Sequence, residues 1–177
     1  MNDDVPLIRA AQAGDAEAFE RLIERYYDTL YRFAYSWCGH AADAQDITQQ
    51  ACMRVADGIC QFRFESAFSS WLYRLVINCA HDWSRRQRRH GEPYAAAAGE
   101  GADDATSVAT RAYHWQLLEA LEALPAVLRE TLLLVHVQGL SHAEAAAVLG
   151  VKESTVSWRL HDFRKRHASA LEAGGAP

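Results

Sequence analysis

GLSHAEAAAVLGVKESTVSWRLHDFRKR, residues 139–166, reads as two short helices joined by a tight turn at Gly150, the second of them basic. Ser141 and Glu144 stand at capping-box spacing: the Ser141 hydroxyl can accept from the Glu144 amide, and the Glu144 carboxylate from the Ser141 amide. The alanine-rich run behind them favours helix, and Gly150 can take the left-handed backbone that ends it. Lys152 is a poor cap, so the next helix starts on Thr155, Val156 and its own periodicity. A helix, a glycine turn and a basic second helix form the commonest protein device for entering a DNA major groove.

A helical wheel of about 100° per residue sharpens this expectation. Val156, Leu160, Phe163 and His167 fall on one side of the second helix. Ser154, Ser157, Trp158, His161 and Lys165 fall on the other, with Arg159, Arg164 and Arg166 on the flanks. The flanking arginines suit phosphates, and the outward polar face suits base edges. The bland alternative is an amphipathic surface helix with a solvated run of charge.

The formal net charge of −5 argues against nucleic acid until its distribution is read. Residues 1–60 carry ten acids against five bases. Arg85, Arg86, Arg88 and Arg89 face Asp82 alone within residues 81–90, and Lys152, Arg159, Arg164, Lys165 and Arg166 cluster within 151–167. Two basic patches on an acidic chain suggest two DNA contacts and an acidic face for a basic protein partner. Half of the residues are hydrophobic, enough for real cores. No secretion signal or membrane span is legible, so a cytoplasmic protein is expected. Cys38, Cys52, Cys60 and Cys79 form no CxxC pair, so buried reduced thiols are expected, with no metal and no cofactor.

No strand-like alternation is sustained, so the expected class is all-α. Residues 91–110, GEPYAAAAGEGADDATSVAT, break the periodicity. The chain therefore divides into a helical domain over 1–90, a flexible linker over 91–111 and a helix-turn-helix domain over 112–172. Helices are expected over 5–14, 15–38, 41–61 and 66–89, then two more around the break at Pro125. The 66–89 helix should bury Phe68, Leu72, Leu75, Val76, Cys79 and Trp83. Opposite them, Arg74, Asn78, His81 and Arg85 form a polar ridge running into the arginines. Before it comes an aromatic and polar loop of Phe62, Arg63, Phe64, Glu65 and Ser66. Arginines beside exposed aromatics supply what a single strand needs, charge for its backbone and flat faces for its bases.

DITQQACMRV, then SAFSSWLYRLVINCAHDWSRRQRR, then EALPAVLRETLLLVHVQGLSHAEAAAVLGVKESTVSWRL: this order resembles bacterial sigma factors of the extracytoplasmic-function type. The resemblance spans nearly the whole chain outside the linker and tail, and it implies two sigma domains, a four-helix bundle and a helix-turn-helix. It implies that Asp43, Asp46, Ile47, Thr48, Gln49 and Gln50 grip the clamp helices of the largest subunit of core RNA polymerase. It implies that Arg63, Trp71, Arg74, Asn78, His81 and Arg85 open and read the promoter −10 element, Asn78 standing near a flipped-out base. Ser154, Thr155, Ser157, Trp158, Arg159, His161, Arg164 and Lys165 then read the duplex −35 element. An anti-sigma partner is also implied, and no catalytic step.

Departures from the family pattern matter. Ser157 and Trp158 follow the Thr-Val pair where a basic residue is frequent, and Asp162 stands where an arginine is frequent, so the −35 sequence should not be the family's commonest. Cys52 and Ala56 replace usual aromatics, and Gln50 a common glutamate. Two other classes compete. A free-standing repressor would bind duplex without polymerase. A metal phosphohydrolase would use the His81-Asp82 and His161-Asp162 pairs, but no further ligands stand at supporting positions.

Overall fold

The computed structural model describes residues 4–90, 120–121 and 123–173. All regular structure among them is helical, in two compact units, residues 1–119 and 120–177. The expected all-α class holds. The expected linker and most of the helix expected before Pro125 lie outside the described residues.

The described residues of the first unit form four α-helices: α1 (Val5–Gln12), α2 (Ala16–Cys38), α3 (Ala41–Gly58) and α4 (Phe68–His90). Asp15 caps α2, its carboxylate accepting from the Ala18 amide at 3.1 Å, and Gly39 ends it at φ +70°. α3 stops at Gly58, three residues short of the expected end; Ile59–Gln61 tightens into a 3₁₀ turn. The glycine lets Trp71 lie close, since a β-carbon there would stand 3.3 Å from the indole.

The core is set by helical spacing. Leu22, Leu30, Phe33, Ala34 and Trp37 of α2 meet Ala44, Ile47, Ala51 and Val55 of α3, together with Phe68, Leu72, Val76, Cys79 and Trp83 of α4. Leu75, expected in the buried stripe, is only half-buried, while Tyr73, Ile77 and Ala80 are buried beyond it. The stripe is wider than read because α2 and α3 both pack on α4. Buried Asp4 ties α1 to α2 by accepting from Arg25 and the Tyr26 hydroxyl. Burial first, then that hydrogen bond, pushes the Tyr26 phenol far above its ordinary range.

In the second unit α5 (Ala126–Leu132) runs into a π-helical turn, Leu133–Val137, where the Gln138 amide reaches back to the Leu133 carbonyl at 2.9 Å. Then follow α6 (His142–Leu149) and α7 (Glu153–Ala173). Leu132, Leu133, Leu134, Ala145, Val148, Val156 and Leu160 form the core.

The capping box forms: the Glu144 amide donates to Ser141 Oγ at 3.2 Å, and the Ser141 amide to Glu144 Oε2 at 2.8 Å. The Ser141 hydroxyl also donates to Glu144 Oε2 at 2.7 Å, and this bond first, then the one from the Ser141 amide, holds the Glu144 carboxyl below its usual range. Gly150 ends α6 at φ +65° as expected. Ser141→Ala should therefore cost about 1 kcal/mol, read as an earlier urea midpoint with unchanged slope.

The thiols differ from expectation. All four cysteines are free, but Cys60 is exposed in the 3₁₀ turn and Cys52 half-buried; only Cys38 and Cys79 are buried. Burial raises the thiol pKa of both Cys52 and Cys79.

Candidate nucleic-acid interface

α3 presents one outer row, Gln45, Asp46, Gln49, Met53 and Asp57, all exposed. Met53 is a large apolar side chain left in water, and the two charged members of the row are both acids. The helical period splits the six residues of the sequence motif, Asp43 and Asp46 to Gln50. Ile47 and Thr48 are fully buried, and the Thr48 hydroxyl donates to the Ala44 carbonyl at 2.7 Å. They seat the helix and offer no surface to a partner. Asp43 is half-buried, accepting from Trp83 Nε1 at 3.0 Å with His40 at 3.4 Å, and Gln50 accepts from Arg86 at 3.1 Å. Asp46 and Gln49 alone among the six are fully on the outside; Met53 and Asp57 extend their row, which i, i+4 counting would have found.

The loop before α4 is held from within by rings. Phe62 is buried against Phe68 (centroids 5.2 Å, nearly perpendicular), Trp71 (5.5 Å) and Phe64 (5.0 Å). From α1, Gln12 Nε2 donates to the carbonyls of Ile59 and Phe62, each at 2.8 Å, and the Arg9 guanidinium lies 5.3 Å above the Phe64 ring. Phe64 sits at φ +59°, a strained backbone for an aromatic residue, and these contacts maintain it. The part played by Gln12 and Arg9 has no signature in the sequence, because both act from about fifty residues away.

Along α4, Arg74 and Asn78 are exposed on the side away from the core, with Arg74 Nη2 donating to Ser66 Oγ at 3.0 Å. Arg63 is exposed in the loop and Trp71 half-buried at its edge. The ridge changes character further on. His81 is half-buried, its ring 5.3 Å from that of Trp37. Arg85 and Arg54 both bind the Asp82 carboxylate, and Arg54 first, then Arg85, keep that carboxyl below its usual range. Of the expected four-residue ridge, Arg74, Asn78 and Arg85 are exposed, Arg85 paired with Asp82 on its own helix, and His81 is turned partly into the fold. Gln50, Arg54, Asp82, Arg85, Arg86 and Arg89 line an open groove between α3 and α4.

On α7, Trp158, Ser154, His161, Arg164 and Lys165 are exposed, as the wheel requires. Thr155 is half-buried. Ser157 Oγ lies 2.9 Å from His142 Nδ1, and Arg159 turns back on α5, donating to Thr131 Oγ1 at 3.3 Å. Arg159 is thus a strut between helices, unlike the outward phosphate contact expected of it. His167 is exposed, with its ring 4.7 Å from the half-buried Phe163. Asp162 pairs with Arg166 at 2.9 Å, so in both His-Asp pairs the carboxylate faces arginine.

Two family models match, Sigma-70 region 2 over residues 22–90 and Sigma-70 region 4 over residues 114–166. The ECF RNA polymerase sigma factor SigM of Mycobacterium tuberculosis is 35% identical over 172 residues, 95% of this chain and 84% of that protein. The chain belongs to the ECF sigma factors. The sigma-E factor of Escherichia coli is 28% identical, covering 93% of this chain and 91% of its own. CnrH, solved in complex with the cytosolic domain of CnrY, superposes with a TM-score of 0.76 at 25% identity, over 97% of this chain and 99% of that one. RpoE of Bartonella quintana, solved with the anti-sigma factor NepR, shares the fold at a TM-score of 0.70 and 22% identity, over 89% of this chain and 98% of its own. As an ECF sigma factor this protein is a transcription initiation factor that joins RNA polymerase core and directs initiation at promoter DNA. No described helix is long and apolar enough to cross a membrane.

Proposed function

We propose that the outer row of α3 docks on the clamp helices of the polymerase core, that α4 with its preceding loop holds the melted −10 strand, and that α7 reads the −35 duplex. The observation that carries this reading is α4 itself: Arg74 and Asn78 project from the side opposite the core, beside a loop organised by rings and held at Phe64 in a strained backbone. Opening is then differential binding, because groups that hold only the separated strand shift the duplex equilibrium toward the open state. Extruding a base costs a few kcal/mol, which a pocket for that base must offset. The polymerase performs the chemistry, and the sigma factor works where polymerase and nucleoid are, in the cytoplasm. Control by an anti-sigma factor that covers the polymerase or DNA faces belongs to the same reading and rests on family membership.

In-vitro transcription with purified core on a genomic promoter library tests it: start sites sharing a −10 and a −35 motif are expected, and none at all would end it. Within that assay Asp46→Arg should weaken core association by about tenfold or more, since it sets a cation against a basic partner. Co-purification with core measures this, and undiminished recovery would remove α3 from the docking role. Asp46 is exposed, so the fold should survive the change.

A further inference from the structure

Trp158 is 62% exposed, the bulkiest apolar side chain left in water on the described surface. Its neighbours on the outward face of α7, Ser154, His161 and Lys165, are polar and exposed too. A protein-docking patch would require contiguous apolar area around the indole, and this face lacks it. Three of the polar side chains flanking it already have partners within the unit. The Ser157 hydroxyl is 2.9 Å from His142 Nδ1, Arg159 donates to Thr131 Oγ1 at 3.3 Å, and Asp162 pairs with Arg166 at 2.9 Å. Among the exposed polar side chains of this face α7 therefore presents one large uncharged ring.

The major groove offers one apolar feature, the C5-methyl of thymine; guanine and adenine instead present acceptors and donors that call for Arg, Lys, Asn or Gln. We propose that Trp158 is a specificity-determining residue of the −35 reader, packing its indole on a thymine methyl, so that this sigma factor selects thymine by apolar contact at that position. The His142–Ser157 bond positions it, fixing the side chain before Trp158 and joining the two helices of the reader. The inference deepens the reading of α7 as the −35 reader and rests on it.

Deoxyuridine tests it, because uracil keeps every hydrogen-bonding group of thymine and lacks only the methyl. Holoenzyme reconstituted from full-length protein and core is assayed for open-complex formation on a selected promoter. Each upstream thymine is replaced in turn by deoxyuridine. One or two positions should lose about three- to fivefold, the cost of one unburied methyl group. Trp158→Ser should abolish that sensitivity while core co-purification stays unchanged, and Trp158→Phe should keep part of it. Tolerance of deoxyuridine everywhere, equal sensitivity in Trp158→Ser, or a selected −35 motif without thymine overturns the inference and leaves the sigma-factor reading standing. So does loss of core association in Trp158→Ser with an unchanged deoxyuridine profile, which would make the indole a protein contact. A holoenzyme that directs no start site at all overturns both.

Discussion

Asn78→Ala should reduce promoter opening about tenfold, and Arg74→Ala by a similar factor, because a good polar contact to a base is worth about 1–3 kcal/mol. Permanganate reactivity of thymines in the −10 region measures the effect, since the reagent reports unstacked bases. Core co-purification should not change, because both residues are exposed on α4, away from the outer row of α3. Neither substitution threatens the helix, as alanine is the best helix former. The two residues are one turn apart, so the double variant should lose less than the product of the single effects. Arg74 has a second connection, its 3.0 Å bond to Ser66 Oγ in the ring-held loop. Ser66→Ala separates the two roles of the guanidinium. If it reproduces the Arg74→Ala defect, Arg74 acts by holding the loop; if it opens promoters normally, Arg74 meets the strand itself. Wild-type reactivity in Asn78→Ala would take this face of α4 out of strand holding.

Where local rules act alone, the sequence is a sufficient guide. Ser141, Glu144 and Gly150 do what their spacing requires, since a capping box and a left-handed terminus involve only residues within one turn. The α4 stripe is legible for the same reason, its period being a property of one helix. The misreadings arise where tertiary partners decide. Six motif residues spread over Asp43 to Gln50 cannot all share one face, and the core claims Ile47 and Thr48. Arg159 is basic on the wheel yet bonded to Thr131, twenty-eight residues away. His81 belongs to the ridge by spacing, but the Trp37 ring engages it and leaves it half-buried. Cys60 is outside, in line with exposed Met53, Ala56 and Asp57, a placement the helical period announces and the habit of cysteine to be buried obscures.

The largest loss of stability should follow Trp37→Ala. Trp37 is 2% exposed, its ring lies 6.3 Å from that of Phe33 and 5.3 Å from that of His81, and its Nε1 donates to Ser84 Oγ at 3.0 Å. One side chain of α2 thus supports α4 on the turns that directly follow Arg74 and Asn78. Truncating a buried Trp to Ala costs about 3–5 kcal/mol, a large share of the roughly 5–15 kcal/mol that holds a domain together. For a unit of this size the melting temperature should fall on the order of 15 °C or more. Circular dichroism during heating measures it, and because the units are separately compact, the second unit's transition should stay in place. Trp37→Phe keeps a ring beside Phe33 and His81 and loses the bond to Ser84, so it should cost roughly 1–2 kcal/mol. At temperatures where Trp37→Phe remains folded, any opening defect then reports the tilt of α4 and not its unfolding. A Trp37→Ala protein that melts with the wild type would mean that α4 does not stand on α2, and the outward geometry of Arg74 and Asn78 would need another support.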